Sequence, residues 1–339
     1  MLKKITLLAL SLLMMAPLFA QKGQNAVIAF YNLENLFDTE NDPLINDEQF
    51  LPEGDYQWTH ERYERKLENM SKVISLIAKE YGGPVAIGVS EIENRRVLED
   101  LIATDNLKPF NLGIVHYDSP DRRGVDVALL YQKDRFRVIH SFPYPLITED
   151  TNFYTRDQLL VTGIIDEIDT VNIIVNHWPS KLGGEKRSMP KRIAAAELSK
   201  HISDSLMHAN PAAKVLIMGD LNDNPDSKSI VNYLQAKGKT KDVGVNQLFN
   251  PMYKLYMDGI WSYVYRDEPN VIDQIIISYG LLNATKGFKY NSARIFRASF
   301  LLTKSGSYEG IPLRTFAGGN YLGGYSDHLP VYIILDLIK

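Results

Sequence analysis

Eight short apolar runs constrain this chain more than any other feature. They are Val27–Tyr31, Val85–Val89, Val125–Tyr131, Leu159–Ile165, Val171–Asn176, Lys214–Met218, Val271–Ser278 and Val331–Leu337. Their length and β-branched content read as strands. Val85–Val89 is apolar on both faces, which suits only a sheet covered on both sides. Long helical patterns are few. Thr59 is placed to cap a helix running to about Tyr81, with Tyr63, Leu67, Met70, Ile74, Ile77 and Tyr81 on one face and Gly82-Gly83-Pro84 closing it. Ser188 followed by Pro190 opens a second helix to about Met207. Many strands with few helices predict packed sheets with helices outside.

The chain has 339 residues, 45% apolar and 23% charged, which is ordinary globular usage. It has no cysteine, so disulfide scaffolds, thiolate metal sites and cysteine nucleophiles are excluded. Any metal site must use oxygen and imidazole ligands. With 37 basic and 41 acidic residues the formal net charge is -4, not the basic balance of a protein that coats nucleic acid. No repeat, low-complexity tract or linker appears. Residues 21–339 therefore read as a single domain.

The first twenty residues read as a signal peptide. Lys3 and Lys4 precede an apolar run from Ile5 to Phe19, and polarity resumes at Gln21 after Ala20. At about 15 residues the run is short for a membrane span, which needs about 20. No cysteine follows for a lipid anchor. The expectation is an exported protein, periplasmic or secreted, with no membrane span. Nothing indicates an obligate protein partner.

An acidic loop from Asp38 to Asp55 holds seven carboxylates and no Lys or Arg. Asp38, Glu40 and Asp42 hint at a calcium loop, but Pro43 and Gln49 stand where an EF-hand needs Gly and Glu. It reads as a solvated loop.

The remaining polar residues of interest fall at strand ends, where sites are built. They are Asn32, Glu91, His177, Asp220 and Asn222 in Gly219-Asp220-Leu221-Asn222, Asp273 within an apolar run, and Asp327 and His328 in Ser326-Asp327-His328. Carboxylate and amide oxygens suit Mg²⁺, Mn²⁺ or Ca²⁺. Two histidines, one with a carboxylate to orient it, suit acid–base work and phosphate binding. Nucleophile-elbow, zinc-protease and Walker motifs are absent. Metal-assisted attack of water on a phosphate ester is the chemistry this inventory supports best.

In this order, the motifs resemble those of the endonuclease/exonuclease/phosphatase superfamily, also called deoxyribonuclease-I-like. The resemblance spans residues 27 to 335. Three strings, Asp121–Tyr131, Asn176–Lys181 and Gly219–Ser227, resemble its bacterial extracellular nucleases. The resemblance implies an α/β (α+β) fold, a four-layer α/β/β/α sandwich with two facing mixed sheets. It implies Glu91 as principal metal ligand, with Asn32 and Asp327 as partners. Asp220 would activate or orient the attacking water, and Asn222 would bind phosphate or a second ion. His328 would be the acid–base histidine oriented by Asp273, and His177 would hydrogen-bond the phosphate. Where the pancreatic deoxyribonuclease pattern pairs its first histidine with a glutamate, the corresponding stretch here, Gly124-Val125-Asp126, holds no Glu. By the resemblance, Asp126 is the expected substitute, with Arg122 or Arg123 on the phosphate.

Substrate signals are weaker. Lys181, Lys186, Arg187, Lys191 and Arg192 form a basic stretch near His177 that can follow a phosphodiester backbone. Tyr253, Tyr256, Trp261, Tyr263 and Tyr265 read either as base-stacking groups or as cross-strand pairs of a hairpin. Phe316–Tyr325, with four glycines, reads as a mobile loop over the site. Three readings stay open: an exported nuclease cutting DNA or RNA, a phosphodiesterase or phosphatase on a lipid or sugar phosphate, and a non-catalytic binding protein on the same fold.

Overall fold

The computed structural model describes residues 24–338, and the signal-like segment lies outside them. In chain order the first strands are β1 (Asn25–Leu36), β2 (Ala86–Ile92), β3 (Leu112–His116), β4 (Asp126–Gln132), β5 (Phe136–Tyr144), β6 (Gln158–Ile165), β7 (Asp169–His177) and β8 (Lys214–Asp220). Then come β9 (Ala236–Lys237), β10 (Leu248–Phe249), β11 (Tyr263–Tyr265), β12 (Glu268–Asn270), β13 (Asp273–Ser278) and β14 (Gly287–Ile295). The last are β15 (Phe316–Ala317), β16 (Asn320–Tyr321) and β17 (Val331–Ile338). The α-helices are α1 (His60–Leu76), α2 (Arg95–Ala103), α3 (Glu185–Ala209), α4 (Met252–Met257) and α5 (Tyr279–Leu282).

Two mixed sheets form the centre. One has the order β14-β17-β1-β2-β4-β3, the other β5-β6-β7-β8-β13-β10-β9. Each holds a parallel pair at its middle, β1 with β2 and β7 with β8. Strand alternation sorts the side chains. Ala26, Ile28 and Phe30 of β1 face the second sheet, meeting Val175, Leu216, Met218 and Ile275. Val27, Ala29 and Tyr31 face outward against Met70, Val73 and Ile74 of α1 and Val97 of α2. On the far side, Ile174, Val215 and Ile217 pack against Ala195, Ala196 and Ile202 of α3. The layers are therefore helix, sheet, sheet, helix, the sandwich the sequence implied. Each fully buried Leu, Ile or Phe contributes roughly 1.5–3 kcal/mol, so the three interfaces between these layers dominate stability.

Several local expectations change. Helix α1 starts at the Thr59 cap, whose hydroxyl accepts the Arg62 N–H, but it stops at Leu76 rather than Tyr81. Ala78 turns through φ +49°, and a short 3-10 turn at Lys79–Tyr81 leads to the glycines. Helix α3 begins at Glu185, before Ser188, and takes Pro190 inside. As the sixth helical residue, Pro190 lies past the first turn and removes one bond of the helix, to the Lys186 carbonyl. The acidic loop is not simply solvated. Asp38 and Asp47 are buried, and their carboxylates accept the N–H groups of Glu40 and Asp42. The glycine-rich stretch is pinned as the hairpin β15–β16. Phe316 stacks on Tyr56 at 4.4 Å, Arg62 lies over Tyr321, and Asn69 Nδ2 donates to the carbonyls of Gly323 and Gly324.

The sheets approach closely at Gly88. A Cβ there would lie 2.9 Å from Met218 Cε and 3.0 Å from Val175 Cγ1. Gly88→Ala is expected to destabilise the protein by roughly 1–3 kcal/mol through overpacking. Combined with Met218→Ala, the loss should be smaller than the sum of the single losses, because the second change vacates the contested space. Urea denaturation of the four proteins measures this coupling; strict additivity would show that the contact is not limiting.

Candidate active site

The parallel pairs place their carboxyl ends at one edge of the sandwich. In the second sheet His177, Asp220 and Asp273 sit side by side in register on β7, β8 and β13. In the first sheet Asn32 pairs with Ser90, and both strands then bulge. Glu91 takes φ +58°, and Glu34 and Asn35 take +49° and +53°. For residues other than glycine this left-handed backbone is unfavourable, and bulges of this kind re-aim side chains beside active sites. Here the bulge turns Glu91 inward, where its Oε2 accepts the Asn35 N–H at 3.1 Å.

The Asp220 carboxylate is the hub. Its Oδ2 accepts from Asn32 Nδ2 at 3.2 Å and lies 3.6 Å from His177 Nε2 and 3.9 Å from His328 Nε2. Its Oδ1 accepts the backbone N–H of Asn222 at 2.9 Å. Burial pushes Asp220 up to about 7; His328 opposes this, and Asp273 and Glu91 add to it. His177 Nε2 stands 3.6 Å from Glu91 Oε1 as well. Its Nδ1 is buried without a partner. Burial first, then the Arg156 and Arg123 cations, hold His177 well below the ordinary imidazole value.

His328 has the opposite environment. Its Nδ1 bonds both oxygens of Asp273, at 3.0 and 2.9 Å. Burial alone would lower it, but Asp273, Asp327 and Asp220 outweigh that and hold His328 well above its ordinary value. Two neutral-to-cationic imidazoles, one on each side of a carboxylate, are suited to grip and protonate an anion. Ser326 Oγ donates to the Asn32 carbonyl and accepts the His328 N–H, which ties the Ser-Asp-His turn to β1.

Residues 27–337 match the endonuclease/exonuclease/phosphatase family. The chain belongs to that family. Its members are divalent-metal-dependent phosphoric ester hydrolases. Solved structures share the fold at low identity. A D. rerio TDP2 complexed with single strand DNA product aligns with TM-score 0.55 and 13% identity over 92% of this chain and 99% of that one. An endonuclease/exonuclease/phosphatase family protein from Bacteroides thetaiotaomicron gives 0.53 and 16% over 93% and 99%. The human Nocturnin catalytic domain with bound sulfate anion gives 0.52 and 16% over 93% and 96%. No curated protein matches this sequence.

The donor set fits the family's cation. Glu91, His177 and Asp220 offer ligand atoms within 4.8 Å of one another. Glu91 and Asp220 supply the carboxylate oxygens that a hard cation takes. His177 Nε2, 3.6 Å from each, is too far for a hydrogen bond to either and stays available to donate. Asn32 adjoins through Asp220, although its Oδ1 accepts the Glu34 N–H at 2.8 Å. Arg314 holds Asp327 Oδ2 at 2.7 Å, and Asp327 Oδ1 is 3.8 Å from His328 Nε2.

Other expected residues are placed differently. Asp126 does not partner His177. Its carboxylate takes His116 Nε2 at 3.0 Å and the Ser119 N–H, because the β4 register sets it beside the end of β3. Asn222, at φ +52°, donates its amide to the Trp178 carbonyl at 2.9 Å. Lys181 bridges Glu185 at 3.2 Å and Asp223 at 3.4 Å. Arg192 leaves the basic surface altogether, fully buried against Asp223 at 2.8 Å. Arg122 and Arg123 remain exposed beside the site. The tyrosines divide between elements. Tyr253 and Tyr256 lie on α4, and Tyr263 and Tyr265 lie on β11 opposite Asn270 and Glu268, so they make no aromatic cross-strand pairs.

Three contributors carry no motif. Arg156 is buried and donates to the carbonyls of His177 and Trp178 at 3.1 and 2.8 Å, while Asp121 holds its other nitrogen at 2.8 Å. Ser262 Oγ donates to Asp273 Oδ2 at 2.7 Å. Tyr263 stacks on the His328 ring at 4.6 Å. Arg156 and Ser262 lie outside every motif and give no sequence signal; Tyr263 stood out only as a stacking or hairpin residue, not as a neighbour of His328.

Because Asp273 raises His328, that pair stabilises the fold fully below pH about 6.5, and the contribution fades as pH rises through the raised value. Asp273→Asn is expected to bring the His328 titration down to or below its ordinary value. Histidine NMR titration in EDTA reads this; an unmoved His328 would remove Asp273 from the role.

Proposed function

We propose that this protein is an exported phosphodiesterase that cuts nucleic acid by in-line attack of water, using one catalytic domain. Export is supported by the basic and apolar pattern of residues 1–20. No described helix is long and apolar enough to cross a membrane.

The observation that carries the substrate is the cleft beside His177. It has a volume of about 430 Å³, and its lining includes Arg122, Arg123, Arg187 and Lys191, together with Phe153 and Tyr154. Arg122 lies over the Tyr154 ring at 4.8 Å and Lys191 over Phe153 at 3.7 Å. Cations that track phosphates, interleaved with faces that stack bases, are the features of a nucleic-acid groove. A small sugar phosphate has no use for that extent of wall. The TDP2 neighbour, complexed with single strand DNA product, supports the same reading.

The chain's own groups divide the work. A divalent cation held by Glu91 with Asp220 and Asn32 beside it would polarise the phosphoryl oxygen and offset developing charge. Asp220 orients the water through Oδ2, its other oxygen being fixed by the Asn222 N–H. His177 donates through Nε2 to an equatorial oxygen. His328, its Nδ1 committed to Asp273, presents Nε2 to the phosphate from the other side.

Residues 21–339 are expected to nick supercoiled plasmid in Mg²⁺, Mn²⁺ or Ca²⁺, and EDTA should abolish nicking. His328→Ala should slow it by about 10²–10⁴-fold, the usual weight of an acid–base group. No nicking with any ion would remove the nuclease reading; retained hydrolysis of a generic phosphodiester would then favour a lipid or sugar phosphate. Arg187→Ala should lower the slope of log affinity against log salt by about one, with kcat nearly unchanged, if it contacts a phosphate. Filter binding across a salt series measures it.

A further inference from the structure

Leu182 is 89% exposed. Single exposed leucines are ordinary, so its position is what matters. It occupies the second place of the turn Lys181–Gly184, closed by the Gly184 N–H on the Lys181 carbonyl at 2.9 Å. Gly183, at φ +81°, supplies the left-handed third position that such a turn requires. The base of the turn is anchored to the active site. The Trp178 carbonyl accepts from both Arg156 and Asn222, and the Trp178 N–H donates to the Asp220 carbonyl. The tip is thus an apolar side chain on a fixed stalk, five residues past His177.

Two clefts meet at that tip. The cationic, aromatic one of about 430 Å³ lies on one side. On the other is a groove of about 780 Å³ that holds Asn222, Tyr263 and Tyr265. Ser180, Leu182 and Gly183 line both. A strand running from one cleft to the other must cross Leu182. The side chain offers nothing to a phosphate, whereas the faces of two neighbouring bases would cover it.

We propose that Leu182 is a wedge that enters between adjacent bases of bound nucleic acid, parting the nucleotide on the Tyr263 side from the one on the Phe153 side. Apolar side chains inserted in this way unstack a base step and bend the strand. Here the bend would turn the intervening phosphate toward His177 and His328. The inference rests on the nucleic-acid reading of the cleft.

The test uses oligonucleotides, single-stranded and duplex, carrying 2-aminopurine, whose fluorescence rises when its stacking is lost. In a His328→Ala background with Mg²⁺, binding should raise the signal at least about twofold. Adding Leu182→Ala should leave the signal flat and weaken binding about tenfold, and Leu182→Met should restore both. Leu182→Ala should unfold in urea at the wild-type midpoint, since the side chain is 89% exposed and its removal leaves no cavity. Binding without a fluorescence rise, or an equal rise in Leu182→Ala, overturns the wedge while leaving the nuclease reading intact. A wild-type chain that neither binds nor cuts oligonucleotides overturns both. Anionic phospholipid vesicles bound by the wild type and released by Leu182→Ala, with oligonucleotide binding unchanged, would make the tip a membrane contact instead.

Discussion

A parallel strand pair has no free face, and this molecule has two of them facing each other. Parallel strands are stable only when covered on both sides. Here β1 and β2 are covered by α1 and α2 on one face and by the second sheet on the other, while β7 and β8 mirror them against α3. Because paired strands point the same way, four carboxyl ends arrive at one edge. Asn32, Glu91, His177 and Asp220 are what those ends carry. The antiparallel neighbours β13 and β17 reach the same edge by their amino ends, bringing Asp273 and the turn that holds Asp327 and His328.

That convergence buries many charges, which is tolerable only where each has partners. Glu34, raised by burial and by Asp327, is held by Arg314, the Thr315 N–H and Lys66. Lys66 in turn donates to the Thr315 hydroxyl and the Tyr325 carbonyl at 2.6 Å. The network joins α1, the bulge of β1 and the glycine-rich hairpin, so the Asp327 side of the site is positioned by residues some 250 places away in the chain. Arg156 does the same for the His177 side. Charge burial thus sets both the pKa directions and the rigidity of the site.

Function follows from where this charge stops. Inside the edge are carboxylates and imidazoles; outside it are cations and aromatic faces. In the proposed function a phosphate ester sits at that boundary, and the walls beyond it take the rest of the nucleic acid.

The sequence by itself marked eight inner strands and the residues at their ends, but not the edge strands β3, β5 and β14. Apolar runs with β-branched residues are local signals, and Asn32, Glu91, His177, Asp220, Asp273 and His328 could be read from short strings around them. The tertiary structure alone decided which groups meet. Asp126 pairs with His116 rather than His177 because the β3–β4 register, not its nearness to the Arg-Arg-Gly string, sets its neighbours. Arg192 looked like part of a basic surface, but one face of α3 buries it against Asp223. Ser262, Tyr263 and Arg156 gained their roles from loops that cross the site edge. The physical reason is range. Propensity and periodicity act over a few residues, whereas a bulge, a register or a buried ion pair is decided by chain segments that meet only after folding.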